Sequence, residues 1–229
     1  RCLQMSDSHD GVIMEILIIR HGQSEHNVSY EGTLDSSLTK KGNEQVYNTA
    51  CWLKDNFDLS GYKGVSSPYL RTLQTSYILR SQTNIDFEVN ELVREYHVKK
   101  DEPELVENQG MPIKFRENLF GDFDWSRWNG KDGKYGVSED LKIYPNETMD
   151  DFLGRIEFYL KGLNEDSKYL IVGHGASCRA LHDVSINKDL KSIKERYAKP
   201  IKEYKDSIEN SSLIWIKDEK CKWFSKVVW

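Results

Sequence analysis

The stretch "ILIIRHGQSEHN", residues 16–27, drives four apolar residues straight into Arg20, His21 and Gly22, with His26 and Asn27 close behind. Residues 15–19 (EILII) are rich in β-branched side chains and do not alternate with polar ones, so they predict a short strand buried on both faces. Such a strand belongs in a sheet covered by helices. The Arg-His pair at its carboxyl end is then either a solvated rim or one wall of an anion site.

Working outward, "LTKKGNEQVYNTACWLKDNF" (38–57) predicts a helix with Thr39 as N-cap and Val46, Ala50 and Leu53 at helical spacing. "YKGVSSP" (62–68) predicts a second strand. A helix is expected from Pro68, since proline suits a first turn, with Leu73, Tyr77 and Ile78 as its apolar positions. "IDFEV" (85–89) predicts a third strand. In "ETMDDFLGRIEFYLKGL" (147–163) Phe152, Ile156, Tyr159 and Leu160 share one helical face. "KYLIVGHGASCRAL" (168–181) predicts a strand breaking at Gly173 into a helix. Residues 188–209 read as a helical, solvated connection interrupted by Pro200, and "SLIWI" (212–216) and "CKWFSKVVW" (221–229) as a terminal strand pair. Strands alternating with helices predict a three-layer α/β/α fold with a mostly parallel central sheet.

Between about 97 and 146 the periodicity fails, and two tryptophans lie in the glycine-bearing stretch 119–136. This segment is expected to be an insertion folding over the sheet edge as a lid. The expected organisation is therefore a leader or processing remnant at 1–13 and one domain over 14–229 carrying that insertion.

The chain has 229 residues, 38% of them hydrophobic and 30% charged, which is a globular composition. The formal net charge of −5 disfavours a general nucleic-acid surface, and no apolar run approaches a membrane span. Cys2, Cys51, Cys178 and Cys221 are scattered without a CxxC pair, which argues against a zinc site and against a disulfide framework. The beginning of the chain lacks the apolar centre of a signal peptide, so a cytoplasmic location is expected. No Walker-type glycine loop is present.

In an open α/β sheet, ligands settle beyond the carboxyl ends of the strands. Three such ends carry an unusual polar load: Arg20 and His21 after the first, Arg71 after the second, and His174 at a strand-to-helix turn in "VGHG". Each residue alone has an ordinary explanation as a rim or helix-surface group. Together, two arginines and two histidines suit a tetrahedral anion, since the guanidinium fork matches phosphate oxygens and a helix start offers N–H groups.

"RHGQSEHN", then "DSSLTKKGNEQ" (35–45), "SSPYLRTLQT" (66–75) and "VGHG", in that order, resemble the histidine phosphatase superfamily, in the branch that includes cofactor-dependent phosphoglycerate mutases. The resemblance runs from residue 15 to about 183, with "NSSLIWI" (210–216) similar to the family's closing strand. It implies a phosphoglycerate mutase-like fold, with His21 as the nucleophile that takes a phosphoryl group. It also implies that Arg20, Arg71 and His174 hold the non-bridging oxygens and that Asn27 adds a neutral donor. An imidazole near its ordinary pKa of about 6.5 is substantially neutral at cellular pH and has a lone pair to offer. Members with "GHD" place an acid after the second histidine. Here Gly175 stands there, which moves the acid to Glu95 in "ELVREYH" (91–97), with Asp101, Glu102 and Glu104 as alternatives.

His26 stands where the family usually carries a bulky residue and is expected to be a pocket-wall group, while His97 and His182 are expected to be structural or exposed. His9 falls in the leader and receives no role. "DFDWSRWNGKDG" (122–133) lacks the alternate oxygen spacing and closing glutamate of a calcium loop, and no metal or cofactor is expected. The lysines of 188–205 are interleaved with Asp189, Glu195 and Glu203, as on a solvated face.

Phosphoglycerate mutases carry an "ERxYG"-type stretch and a later paired-arginine segment after the third strand, and this chain shows neither. A phosphatase acting on a small phosphorylated substrate is therefore favoured. Mutase chemistry and an inactive phospho-ligand binding module are the alternatives. Oligomeric state is not legible in the sequence.

Overall fold

β1 (Glu15–Arg20) is the pivot of the sheet, and Ile16, Leu17, Ile18 and Ile19 are all 0% exposed. In the computed structural model, which describes residues 14–29, 35–96, 118–126, 147–186, 189–197, 208–217 and 220–224, five further strands assemble around it. They are β2 (Tyr62–Ser66), β3 (Phe87–Val89), β4 (Lys168–Gly173), β5 (Leu213–Lys217) and β6 (Lys220–Phe224), in the order β3-β2-β4-β1-β5-β6. The pairings β3–β2, β2–β4 and β4–β1 are parallel, and β1–β5 and β5–β6 are antiparallel. Arg20 lies opposite Gly173, so the two central strands end level with each other.

The helices are α1 (Glu25–Val28), α2 (Lys40–Asn56), α3 (Leu70–Thr83), α4 (Met149–Lys161), α5 (Gly175–Ser185) and α6 (Leu190–Tyr197). The period-2 alternation of β1 sorts them into layers. Ile16 and Ile18 pack with Phe152 and Ile156 of α4, Leu181 of α5 and Ile193 of α6. Leu17 and Ile19 pack with Val46 and Leu53 of α2 and Leu73 of α3. Burying such side chains contributes about 1.5–3 kcal/mol each, which is why a continuous apolar strand demands helices on both sides. The three-layer α/β/α arrangement follows.

Thr39 caps α2, its side chain accepting from the Gly42 N–H at 2.9 Å. α3 differs from the expectation in two ways. It starts at Leu70 rather than Pro68, because Tyr69 holds an extended conformation at the cap. Tyr69 offers no capping side chain, and the Leu70 N–H instead donates to Asp35 Oδ1 at 2.7 Å. Tyr77, expected on the apolar face, is 52% exposed, and Thr75, Ser76 and Leu79 are buried in its stead. Small hydroxyl side chains can enter a helix interface by bonding back to the helix, as Thr75 Oγ1 does to the Arg71 carbonyl at 2.7 Å.

Residues 118–126, within the expected insertion, lie along β3. Val89 N–H donates to the Asp124 carbonyl at 2.8 Å, Asp124 N–H to the Phe87 carbonyl at 2.9 Å, and Phe120 and Phe123 are buried in the core. The third strand is shorter than expected, Phe87–Val89, with Ile85 buried ahead of it. Residues 1–13, expected to be a leader, with Cys2 and His9, then His97, Asp101, Glu102, Glu104, most of the expected 97–146 insertion, Pro200 and residues 225–229 lie outside the described residues. Among the described residues no disulfide joins Cys51, Cys178 and Cys221, and no helix is long and apolar enough to cross a membrane.

Candidate active site

The register of β2, β4 and β1 brings three chain ends together. His21 N–H donates to the Gly173 carbonyl at 3.0 Å and Ser67 N–H to the Val172 carbonyl at 3.1 Å, so the loops leaving these strands start side by side. The rings of His21 and His174 face each other edge-on at 5.2 Å between centroids. Both are buried, at 3% and 0% exposure. The segment after His21 can leave the sheet tightly only because two backbones touch: a Cβ on Gly22 would meet the Gly42 carbonyl oxygen at 2.5 Å, and one on Gly42 the Gln23 carbonyl oxygen at 2.0 Å. The glycine after His21 is thus a packing requirement of α2 against the loop.

The proton arrangement of His21 follows from its partners. Nδ1 lies 2.7 Å from the Gly22 carbonyl oxygen, which only accepts, so Nδ1 carries the hydrogen. Nε2 accepts from Arg71 Nε–H at 3.2 Å and carries the lone pair. Burial, reinforced by the cationic Arg71 and Arg20, holds the ring well below the ordinary imidazole value of 6.5. The lone pair is therefore more securely available than an unperturbed ring would make it. An NMR titration of the ligand-free protein is expected to show a His21 midpoint below the ordinary imidazole value, and a midpoint at or above 6.5 would contradict this. In the unfolded chain the same ring takes its proton near 6.5, so acidification below that value works against the fold through this group.

His174 ends β4 and precedes α5, with its N–H donating to Ser177 Oγ at 2.9 Å and its Nε2 2.8 Å from Ser67 Oγ. Tyr69 packs its ring edge-on against His174 at 4.9 Å and lies under the Arg71 guanidinium at 4.6 Å, fixing both. Arg71, 6% exposed, arrives on the first turn of α3. Arg20 donates through Nη1 to the Ile208 carbonyl, while its buried Nε has no hydrogen-bond partner among the described residues. Burial lowers the Arg20 pKa and the nearby Glu95 carboxylate works in the opposite direction.

Glu95 comes in from the far side, after β3 and the 3-10 turn Glu91–Val93. Its Oε1 accepts from Ala176 N–H at 3.2 Å and Ser177 N–H at 3.3 Å, seating the carboxylate on the first turn of α5 one residue past Gly175. Its backbone is fixed by a buried cluster: Arg155 Nη1 donates to the Leu92 and Arg94 carbonyls at 2.6 and 3.2 Å, and Glu147 accepts from both Arg94 and Arg155 at 3.1 Å. Asn27 lies in α1, its Oδ1 accepting from Ser24 N–H, Ser24 Oγ and Asn210 Nδ2, each at 3.0 Å.

The structure thus brings Arg20, His21, Arg71 and His174 to one place, with Asn27 and Glu95 on its borders. His26 is half-buried beside them, its N–H bonded to Ser36 Oγ at 3.1 Å, and burial together with Arg71 lowers its pKa. His182 lies elsewhere, buried between Asp183 at 2.8 Å and Trp223 at 3.2 Å. Sequence reasoning singled out neither Ser67, Tyr69 nor Asn210, although all three lie inside stretches it quoted. Their importance comes from what they touch more than a hundred residues away. The Arg94–Glu147–Arg155 cluster carried no signal, being three charged residues among many.

Comparisons with known proteins bear on the family and the fold. The family model described as "Histidine phosphatase superfamily (branch 1)" matches residues 16–200. A broad-specificity phosphatase of Saccharomyces cerevisiae is 28% identical over 190 residues, covering 76% of this chain and 71% of that protein. Among solved structures, a mycobacterial glucosyl-3-phosphoglycerate phosphatase superposes with a TM-score of 0.56 at 19% identity, covering 89% of each chain. A phosphoserine phosphatase variant from Entamoeba histolytica, solved with phosphoserine, gives a TM-score of 0.54 at 21% identity, covering 92% of this chain and 95% of that one. These two show the same fold. With the match extending over most of its length, the chain belongs to branch 1 of the histidine phosphatase superfamily.

Proposed function

We propose that the protein hydrolyses phosphomonoesters of small molecules by way of a phosphohistidine at His21. The observation that carries the reading is the buried, Nδ1-protonated His21, with Arg71 Nε–H on its Nε2, the His174 ring 5.2 Å away and the Arg20 charge acting on it. The Nε2 lone pair forms the N–P bond as the ester P–O bond breaks, and the electron pair leaves with the alkoxide. Arg20, Arg71 and His174 balance the charge on the three non-bridging oxygens, and the Asn27 amide adds a neutral donor. Such positioning and charge stabilisation supply most of the catalysis in phosphoryl transfer.

The step calls for Glu95 in its protonated form, which gives its proton to the leaving oxygen and becomes the carboxylate that accepts from Ala176 and Ser177 N–H. In the second half it takes a proton from the water that attacks phosphorus, and the N–P bond breaks with its pair returning to Nε2. The alkaline and acidic roles of one carboxyl in turn are what a double displacement requires.

Turnover of p-nitrophenyl phosphate in the presence of chelator, with an acid-labile phosphoenzyme trapped by rapid quench, tests the proposal. Phosphate binding without turnover on any phosphomonoester would instead favour a binding module. Conversion of 3-phosphoglycerate to its 2-isomer with a bisphosphoglycerate primer would favour a mutase. The role of Glu95 has its own signature. Glu95→Gln is expected to cost about 10²–10⁴-fold in kcat on alkyl phosphates, whose leaving groups need a proton, and much less on p-nitrophenyl phosphate. Equal losses on both substrates would remove Glu95 from the acid role.

A further inference from the structure

We propose that Asn210 is a positioning residue that holds the Gly22 carbonyl under His21 Nδ1 and keeps the NH₂ end of the Asn27 amide turned outward, an inference resting on His21 as the nucleophile. Asn210 precedes β5 in a turn that grips the end of β1. Ser211, at φ 59°, donates its N–H to the Arg20 and His21 carbonyls at 3.0 and 3.1 Å, and Arg20 N–H donates to the Ser212 carbonyl at 3.2 Å. Thr49 Oγ1 of α2 donates to the Ser211 carbonyl at 3.4 Å, so the turn is held from its outer side as well.

From this platform Asn210 Nδ2 reaches three oxygens: the His21 carbonyl at 3.2 Å, the Gly22 carbonyl at 3.4 Å and Asn27 Oδ1 at 3.0 Å. The orientation of both amides is dictated by their fixed partners. Ser24 N–H can only donate, so the Asn27 atom facing it at 3.0 Å is the oxygen. The backbone carbonyls of His21 and Gly22 can only accept, so the Asn210 atom facing them is the nitrogen.

Two consequences reach the reacting centre. First, the Gly22 carbonyl held by Asn210 is the one that accepts from His21 Nδ1 at 2.7 Å. Holding it fixes the position of that acceptor under the ring, while Arg71 Nε–H faces Nε2 from the other side. Second, with Asn27 Oδ1 occupied by Ser24 and Asn210, the amide presents its NH₂ end away from them, as a donor. One side chain near the end of the fold therefore orients a nucleophile 189 positions earlier and a donor 183 positions earlier. The hydrogen bond made by one ring nitrogen sets how the other is presented.

The test compares wild type with Asn210→Ala, Asn210→Asp and Asn210→Ser in the full chain. In ligand-free protein, ¹⁵N NMR of the His21 ring is expected to show one protonated Nδ1 and one unprotonated Nε2 in wild type. The Nδ1 shift should move in the alanine and aspartate variants as its hydrogen bond to the Gly22 carbonyl loosens, with Nε2 still unprotonated against Arg71. Phosphoenzyme formation from p-nitrophenyl phosphate should slow by about 10²-fold with KM little changed, aspartate being worse than alanine because it turns a carboxylate toward three acceptors. Serine, which keeps a donor, should recover part of the rate and stands in if either other variant fails to fold. Combining Asn210→Ala with Asn27→Ala should be less than additive.

Wild-type ring shifts and wild-type phosphorylation rates in the variants would overturn the role, as would a loss confined to thermal stability. The NMR readout needs no turnover. A wild-type protein that forms no phosphoenzyme would therefore count against the phosphatase reading while leaving Asn210 judged by the ring shifts.

Discussion

His21→Ala is expected to lower kcat on p-nitrophenyl phosphate by about 10⁴–10⁶-fold, equivalent to about 5–8 kcal/mol of barrier, and to abolish the acid-labile phosphoenzyme. The size follows from the geometry. The His21 ring is buried and neutral and has one nitrogen committed to the Gly22 carbonyl, so no other group can supply its lone pair. His174 sits 5.2 Å away, but its Nε2 lies against Ser67 Oγ, and its ring is wedged against Tyr69.

Phosphate binding should largely survive in the variant, because Arg20, Arg71 and His174 arrive on other backbone anchors. Vanadate or phosphate titration by calorimetry would show this. Loss of binding together with turnover would mean that His21→Ala had collapsed the pocket. Residual activity within tenfold of wild type would end the case for His21 as nucleophile.

The largest effect on stability is expected from Glu147→Ala. Arg94 and Arg155, at 2% and 0% exposure, share this one carboxylate, itself 7% exposed. Burial already pushes the Arg155 guanidinium down to about 10, with the like charge of Arg94 acting in the same direction and Glu147 opposing both. Removing the carboxylate takes from two buried cations the one anion they both bond, leaving Arg155 only the field of Glu95, and breaking such a buried pair costs about 3–5 kcal/mol. For a chain of this size the expected fall in Tm is about 6–20 °C.

Urea denaturation of Glu147→Ala checks the prediction, and a loss below about 1 kcal/mol would show the cluster to be solvated or dispensable. The effect should also reach the site. Arg155 bonds the Leu92 and Arg94 carbonyls on either side of Val93, and Glu95 is the next residue along.

What the sequence showed and what it hid divide along the range of the interactions. The buried strand 15–19 was legible because a two-faced apolar run has few other solutions. Thr39 was legible because an N-cap bonds three residues away. Arg20, His21, Arg71 and His174 could be named because each follows a strand whose end they mark, and the ordered blocks around them resemble a known family. The α3 start was misplaced by two residues because its cap comes from Asp35, 35 positions earlier. Tyr77 was expected on the apolar face, yet it is exposed while Ser76 and Thr75 are buried, Thr75 accepting from the Gly22 N–H more than fifty residues earlier.

The sequence by itself determined the layers of the sheet and the chemical types at the strand ends, since both arise from local periodicity and residue chemistry. The tertiary structure alone decided that His21 is neutral, which nitrogen holds its hydrogen, and where Glu95 rests. It also decided that Asn210, Ser67 and Arg155 matter. Apart from the contact of His21 with its neighbour Gly22, those outcomes depend on hydrogen bonds and burial between residues roughly 50 to 190 positions apart, and such contacts exist only once the strand ends are packed level.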